Sequence, residues 1–317
     1  MRDDSQRFNG ADLAFMVPTK DRPEKMKNLL ESLAVQTVPC GRIIVVASGM
    51  DIGDLVRSFA DRLPVEYHQC DSPGQIRQRN MAISLLDGNT PLAGSLDDDI
   101  VLELEAVSAM IDFWNRVPAN TAGVAFNIVN NPPYRYSVFK AMIGMDKKQG
   151  RVLPSGYNVS TSPVKRDLKS DWLCGGATVW KQEILKRFHH RPIRSKWAIG
   201  EDVLFSYPVG KSFPLYVCAA ARVRHEHVYD HAVKVKHRYY GRTVTLWRFY
   251  FIERHPELSL LFCTWMVIGQ IIARSGSGLF LAKPDEVQYA LGQVQGLVRG
   301  FLALARGKSV LPLLHDG

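Results

Sequence analysis

The sequence predicts an α/β fold: a mainly parallel central sheet flanked by helices, with a C-terminal helical, basic, amphipathic extension. Three observations lead there. Short apolar, β-branched runs alternate with stretches of helical periodicity over the first hundred residues, the order of right-handed strand–helix–strand crossovers. A chain of 317 residues with 46% hydrophobic content can bury a full core, in one large domain or a main domain plus an appendage. From about His231 the composition shifts toward Arg, Lys and Tyr, including Lys234, Lys236, Arg238, Tyr239 and Tyr240. The expected organisation is a lead-in at 1–10, a main domain at 11–230 and an extension at 231–317.

In chain order, Met1–Gly10 is polar, without the apolar core of a signal peptide, and reads as a disordered lead-in. Leu13–Val17 reads as a buried strand stopped by Pro18, and Thr19–Pro23 as a polar turn. Met26, Leu29, Leu30, Leu33 and Ala34 recur at helical spacing; Val38-Pro39 marks the exit. Arg42–Ala47 is a second strand, Ile52–Leu63 a helix and Val65–His68 a third strand. Ser72-Pro73-Gly74 breaks the chain before a helix whose first turns carry Arg77 and Arg79, where phosphate is favoured. A surface helix with solvated arginines is the plainer alternative.

Ala93–Leu96 is then a strand that delivers Asp97-Asp98-Asp99, followed by a helix over Leu102–Trp114. From Thr121 the pattern loosens, and Asn130–Pro133 with the Gly- and Lys-rich stretch around Gly144–Gly156 reads as a long, mobile, partly ordered loop of the kind that often covers substrates. Trp172 leads into paired glycines, Gly175-Gly176, within an apolar stretch, which permits close approach of a ligand or another backbone. A helix over Lys181–Phe188 follows. Glu201-Asp202 stands at a helix start, where carboxylates are also stabilised simply by the helix dipole. Pro214–Arg224 is a strand pair or one bent strand ending at His225-Glu226-His227.

In the extension, Leu258–Ala273 carries no charge. Sixteen helical residues span ~24 Å, short of a ~30 Å hydrocarbon core, so an interfacial or buried helix is expected, with a short span as the rival. Val287, Ala290, Leu291, Val294, Val298, Phe301, Leu302 and Ala305 form an apolar stripe at helical spacing, opposite Arg299, Arg306 and Lys308. That suits a membrane-surface helix or core packing.

A net charge of +9 argues for anionic company. Nucleotide phosphates and an anionic membrane surface remain as partners. Nucleic acid is set aside, because the chain has neither zinc-finger spacing nor an RNA-binding signature. Five scattered cysteines without a CxxC read as reduced, which suits a cytoplasmic protein, peripheral on the inner face of a membrane if its tail binds lipid.

Asp97-Asp98-Asp99 carries the chemistry. Like charges this close repel unless a cation lies among them, and hard oxygen ligands suit magnesium or manganese bridging carboxylates to phosphates. A solvated acidic turn is the bland reading. An apolar strand with carboxylates at its C-terminal edge tips the balance, since open α/β sheets bind ligands there.

Together, Val17–Pro23, Ile43–Val46, Pro73-Gly74 through Gln78-Arg79-Asn80, Asp97–Asp99, Gly175-Gly176, Glu201-Asp202 and Ala221–His225 resemble an inverting, nucleotide-sugar-dependent family 2 glycosyltransferase of the GT-A fold. The likeness covers roughly residues 11 to 255. It implies donor binding by Pro18, Thr19, Asp21 and Arg22, extended to Gln75, Arg79, Asn80, Asp97 and Asp98. The DxD motif of the family maps onto Asp97 and Asp99, the latter a ligand of Mn2+ or Mg2+, and His225 matches a position that completes the metal site in some members. Asp202 matches the catalytic base, with Glu201 beside it, and Arg242 the basic region that reaches the diphosphate. Trp172, Gly175 and Gly176 fall to the acceptor, a glycan or lipid-linked hydroxyl as in surface polysaccharide assembly. One departure stands out: Ala47 replaces the Asp of the family's Val-Val-Asp-x-Gly-Ser. Either Asp51 substitutes for it or base recognition differs.

Two rivals come from other classes. Asp97-x-Asp99 after an apolar strand also resembles the haloacid dehalogenase motif, with Asp97 as nucleophile in a phosphohydrolase, though that motif normally lies near the domain's start. A non-catalytic nucleotide- or membrane-binding scaffold is the other.

Overall fold

The computed structural model describes residues 7–190, 199–226 and 236–315. Residues 1–6 of the expected lead-in, His227 and Lys234 lie outside the described residues. Residues 7–10 are packed: the Phe8 ring meets Trp114 edge-on and its N–H donates to Asn115 Oδ1 at 2.8 Å.

The elements run β1 (Leu13–Lys20), α1 (Pro23–Ala34), β2 (Arg42–Ser48), α2 (Gly53–Arg57), β3 (Val65–Gln69), α3 (Gln75–Ser84), β4 (Leu92–Leu96), β5 (Ile100–Leu102), α4 (Ala106–Trp114), β6 (Gly123–Ile128) and α5 (Val138–Met142). They continue with β7 (Leu168–Ser170), β8 (Ala177–Lys181), α6 (Gln182–Arg187), α7 (Glu201–Ser212), β9 (Leu215–His225), α8 (His237–Arg254), α9 (Leu260–Phe280), α10 (Pro284–Ala305) and α11 (Leu311–His315). Two compact units result: Met1–Tyr134 with Thr161–Pro192 and Phe205–His227, and Arg135–Ser160 with Ile193–Leu204 and Val228–Gly317.

Among the described residues all the strands belong to the first unit, in the order β3-β2-β1-β4-β8-β6-β9-β5, with β7 on β9. The ladders β2–β3, β1–β2, β1–β4 and β6–β9 are parallel; β8 runs antiparallel to β4 and β6, and β5 and β7 antiparallel to β9. Six strands therefore share a direction, giving the mainly parallel α/β sheet expected from the sequence. The side-chain period of two divides β1 and β2 between two cores. Leu13, Phe15, Val17, Ile43 and Val45 face α1, α2 and α4, whereas Ala14, Met16, Ile44 and Val46 face α3, α6 and the later turns of α7.

Several boundaries differ from the sequence reading. Leu102 ends a short strand, because Ile100–Leu102 pairs with Val223–His225, and the helix starts only at Ala106. The helix expected over Ile52–Leu63 is helical only over Gly53–Arg57. Of the two alternatives left open for 214–224, the structure takes the one bent strand, Leu215–His225. Its ladder on β6 skips from Cys218 to Arg222 between Phe126 and Asn127, a bulge that bends the strand.

The second unit contains the ordered parts of the loop read around 144–156. Ser137 caps α5, its N–H donates to Asp146 at 2.9 Å, and Val152 bridges Asn158. Arg248 of α8 anchors the stretch by donating to the Gly156 carbonyl and to Asn158 Oδ1. Burial lowers the pKa of this guanidinium to about 10.

Helix α9 also outruns its sequence boundary. Ser259 caps it, and Arg274 does not end it, because that charge is met by Glu286 and lies 3.9 Å from the Tyr289 ring centroid. Its 21 residues span ~32 Å. The length argument against a span therefore fails: among the described residues α9 alone is long and apolar enough, by length and composition, to cross a membrane.

Most of the stripe on α10 faces solvent, with Ala290 the buried exception. Leu291, Val294, Val298, Phe301 and Leu302 are exposed, while Gly292, Gln293, Gly296 and Gly300 are buried. These glycines sit one turn apart and let α8 approach closely: a Cβ on Gly292 would lie 2.0 Å from the Arg238 carbonyl oxygen. Backbone cannot yield as a side-chain tip can. Gly292→Ala is expected to cost ~1–3 kcal/mol through overpacking, read as a lower urea midpoint.

Candidate active site

The site is assembled where strands of the first unit end. Asp97-Asp98-Asp99 forms the turn between β4 and β5, at the carboxyl edge of the parallel strands. Pairing of β5 with the end of β9 sets Ile100 opposite His225, which carries the imidazole to the carboxylates. His225 Nε2 lies 2.8 Å from Asp99 Oδ1. Ligand atoms of Asp97, Asp99 and His225 all fall within 4.8 Å of one another.

Each acidic side chain has its own supports. Gln75 Nε2 and Arg79 Nη2, one turn apart on α3, both donate to Asp97 Oδ1, at 2.9 and 2.8 Å. The Asp97 N–H donates to the Gly176 carbonyl at 2.8 Å. Asp98 turns toward β1, where it accepts from Thr19 Oγ1 at 2.7 Å and Arg22 Nη1 at 3.1 Å. The same Arg22 nitrogen lies 3.6 Å from Asp99 Oδ2.

The electrostatics follow from burial and pairing. Burial raises the pKa of Asp98, against the opposing pull of the Thr19 hydrogen bond and the Arg22 charge. Burial disfavours the charged forms of Arg22 and His225, yet both pKa values rise, because the neighbouring carboxylates together outweigh it: Asp98 with Asp99 and Asp97 at Arg22, and Asp99 with Asp97 at His225. The charged forms of Arg22 and His225 are thus favoured beside these carboxylates, while burial works against the charge on Asp98.

The donor set fits a divalent cation. Two carboxylates and an imidazole supply hard oxygen with one nitrogen, which suits manganese and also accommodates magnesium. Gly176 leaves Asp97 its place: a Cβ there would lie 2.2 Å from Asp97 Oδ2. Because Gln75 and Arg79 pin that carboxylate, Gly176→Ala should displace it. The expected loss is ~10–100-fold in Mn2+ affinity, the size of effect seen for supports of metal ligands, measured by calorimetry.

Other residues singled out in the sequence are placed as follows. Arg79 is almost wholly buried, so its guanidinium serves Asp97 instead of facing solvent. Pro18 lies within β1 opposite Val46. Asp21, at φ +54°, accepts from the Met50 N–H at 2.7 Å and ties the turn after β1 to that after β2. Asp51 accepts from the Gly53 N–H at 2.8 Å. Hydrogen bonds from the Tyr67 hydroxyl and that N–H lower its pKa. Asn80 points elsewhere, donating to the His190 carbonyl at 3.2 Å. Trp172 is buried in the turn after β7, and Gly176, assigned above to the acceptor, lies against Asp97. Glu201 and Asp202 open α7 and Arg242 lies on α8 with its guanidinium 5.1 Å from the Tyr239 ring centroid; these three count with the second unit.

Gln78 belongs to the matched motif but received no role from the sequence. Its side chain is buried and donates to the carbonyls of Thr19, at 2.6 Å, and Val46, at 2.8 Å, locking α3 to the ends of β1 and β2. The signal was present: Gln75, Gln78 and Arg79 are spaced three and four apart, one polar face of a helix.

A GT-A-type sheet with an Asp-x-Asp turn at its carboxyl edge defines a glycosyltransferase. The chain belongs to the family described as Glycosyl transferase family 2, whose pattern matches residues 14–176. No curated protein matches the sequence. Among solved structures it is similar to Staphylococcus aureus TarS 1–349, at 16% identity and TM-score 0.56, covering 96% of this chain and 86% of that one. It is also similar to the mannosyltransferase PcManGT from Pyrobaculum calidifontis in complex with GDP-Man and Mn2+, at 15% identity and TM-score 0.53, covering 94% and 88%. Family and fold together set aside the phosphohydrolase reading of Asp97-x-Asp99.

Proposed function

We propose that the protein transfers a sugar, with inversion, from a nucleoside diphosphate sugar to a hydroxyl of a glycan or lipid-linked acceptor at an anionic membrane surface. The observation that carries this reading is the convergence of Asp97, Asp99 and His225 beside Thr19 and Arg22. Solved structures of similar fold support it: PcManGT is in complex with GDP-Man and Mn2+, and TarS 1–349 with UDP-GlcNAc.

Asp97, Asp99 and His225 would hold Mn2+ or Mg2+, which supplies charge neutralisation for the departing diphosphate. Arg22, at the mouth of the turn after β1, adds a guanidinium suited to phosphate oxygens. Asp98 holds Thr19 and Arg22 in place, and Arg79 acts through Asp97 as a positioning residue. The acceptor oxygen forms a bond to the anomeric carbon from the face opposite the diphosphate. The bond to the diphosphate oxygen breaks, its electron pair leaving with the nucleotide. The hydroxyl proton passes to Asp202, assigned as base from the Glu-Asp motif at the start of α7.

Release of nucleoside diphosphate from a donor panel, with and without acceptor, tests the proposal. Acceptor-dependent release is expected. Release of inorganic phosphate alone, or no turnover with intact nucleotide binding, would favour hydrolase or scaffold.

A further inference from the structure

The second unit carries an apolar face that its own packing does not use. At 100° per residue, Leu261, Trp265, Ile268, Ile272 and Leu279 of α9 fall within about 60° of one another, a stripe ~27 Å long, and all five are exposed. Between Leu260 and Ala282 the only charge is Arg274, and it is paired with Glu286. The opposite side of α9 packs through Cys263, Met266 and Val267, and Gln270 bonds Gln293 of α10. Large apolar groups thus stand on the exposed side of α9, while its packed side holds Cys263, Met266 and Val267 together with the Gln270–Gln293 amide pair.

The face extends at both ends. Beyond Leu279, Phe280 is 89% exposed and Leu281 61% exposed, at the turn into α10. Beside Trp265, whose indole donates to the Met142 carbonyl at 2.9 Å, α5 presents Val138, Phe139 and Met142 to solvent. Four exposed cations lie on or beside α5 in sequence: Lys140 within it, and Arg135, Lys147 and Lys148 flanking it. Apolar surface with a tryptophan and a basic fringe is the composition that lies at a lipid headgroup boundary.

The geometry points to this face as the seat of an anionic bilayer, with α9 lying in the membrane plane and the Leu279–Leu281 turn immersed. A span is disfavoured by what packs behind it: α10 carries Gln293 and Arg299, and α8, against which α10 packs, carries Arg238, Arg242, Arg248 and Arg254. Immersing that bundle would put these groups in hydrocarbon. The inference specifies the membrane part of the reading above and stands independently of the donor chemistry.

Sedimentation of the full chain with phosphatidylglycerol–phosphatidylcholine vesicles, and with phosphatidylcholine vesicles alone, tests it. Binding to the anionic vesicles is expected, weakening at high salt. Phe280→Glu with Leu281→Glu should reduce partitioning at least ~10-fold, given the transfer energy of one buried aromatic; Phe280→Leu should retain it. Lys147→Glu with Lys148→Glu should weaken binding to anionic vesicles only. Thermal melting of each variant reports the fold, and manganese-dependent nucleotide binding should not change. Should that nucleotide binding be absent from the wild type while vesicles still bind, the transferase reading fails and this one survives. Failure of the wild type to pellet, or variants that pellet like it, would overturn the inference. So would binding that ignores salt and reverses only in detergent, which means a span. Concentration-dependent dimers abolished by Phe280→Glu, without vesicle binding, would assign the face to a second copy.

Discussion

Asp99→Asn is expected to abolish manganese-dependent nucleotide binding and, with it, turnover. The substitution removes a full charge from the proposed ligand set and leaves His225, 2.8 Å away, without its carboxylate partner. Loss of a mere support of a metal ligand costs ~10–100-fold in affinity, so loss of the ligand itself should reach at least ~100-fold. Calorimetric titration of Mn2+ with nucleoside diphosphate into wild type and variant reads this directly. Near-normal binding would mean that the acidic turn holds no metal.

Asp202→Asn is expected to separate chemistry from binding. An amide keeps the size of the side chain and most of its hydrogen bonding, but cannot accept the acceptor proton. Loss of a general base typically costs ~10²–10⁴ in rate, so turnover should fall by that factor while nucleotide affinity stays near wild type. Near-normal turnover would reduce Asp202 to a helix-start carboxylate and turn attention to Glu201. The contrast between the two variants is sharper than either alone, because one should lose binding and the other only rate.

Local physics made the sheet legible in the sequence. Leu13–Val17 and Arg42–Ala47 are short apolar runs punctuated by proline and glycine, and their pattern is the same whatever the distant chain does. Boundaries set by distant partners were not legible. Leu102 belongs to a strand only because β9 reaches it, and α9 continues past Arg274 only because Glu286 lies on the next helix. The stripe on α10 left membrane-surface and core packing open, and only the structure sets most of it in solvent. Periodicity shows that apolar residues share a face, but not that glycines a few residues away make the opposite face the one that packs.

The same division holds at the site. Asp97–Asp99 declares itself through like charges in a basic chain, and α3 through its Gln and Arg spacing. The direction of Arg79 was invisible: an arginine near a helix start suggests phosphate, whereas burial beside Asp97 turns it into a support. Ala47 shows the reverse. As a buried strand residue opposite Thr19, it offers the nucleotide base no polar atom from its side chain, a gap apparent from sequence alone.

The central claim is that the Asp97–Asp99–His225 cluster binds a nucleoside diphosphate through a divalent metal. Thermal unfolding of the full chain with UDP, GDP and dTDP, each with manganese or with chelator, tests it most directly, since a ligand that binds the native state raises its midpoint. The account predicts that at least one nucleoside diphosphate stabilises the wild type with manganese and not with chelator, and that Asp99→Asn loses the effect. Equal stabilisation with and without metal, or none by any of the three, would contradict it.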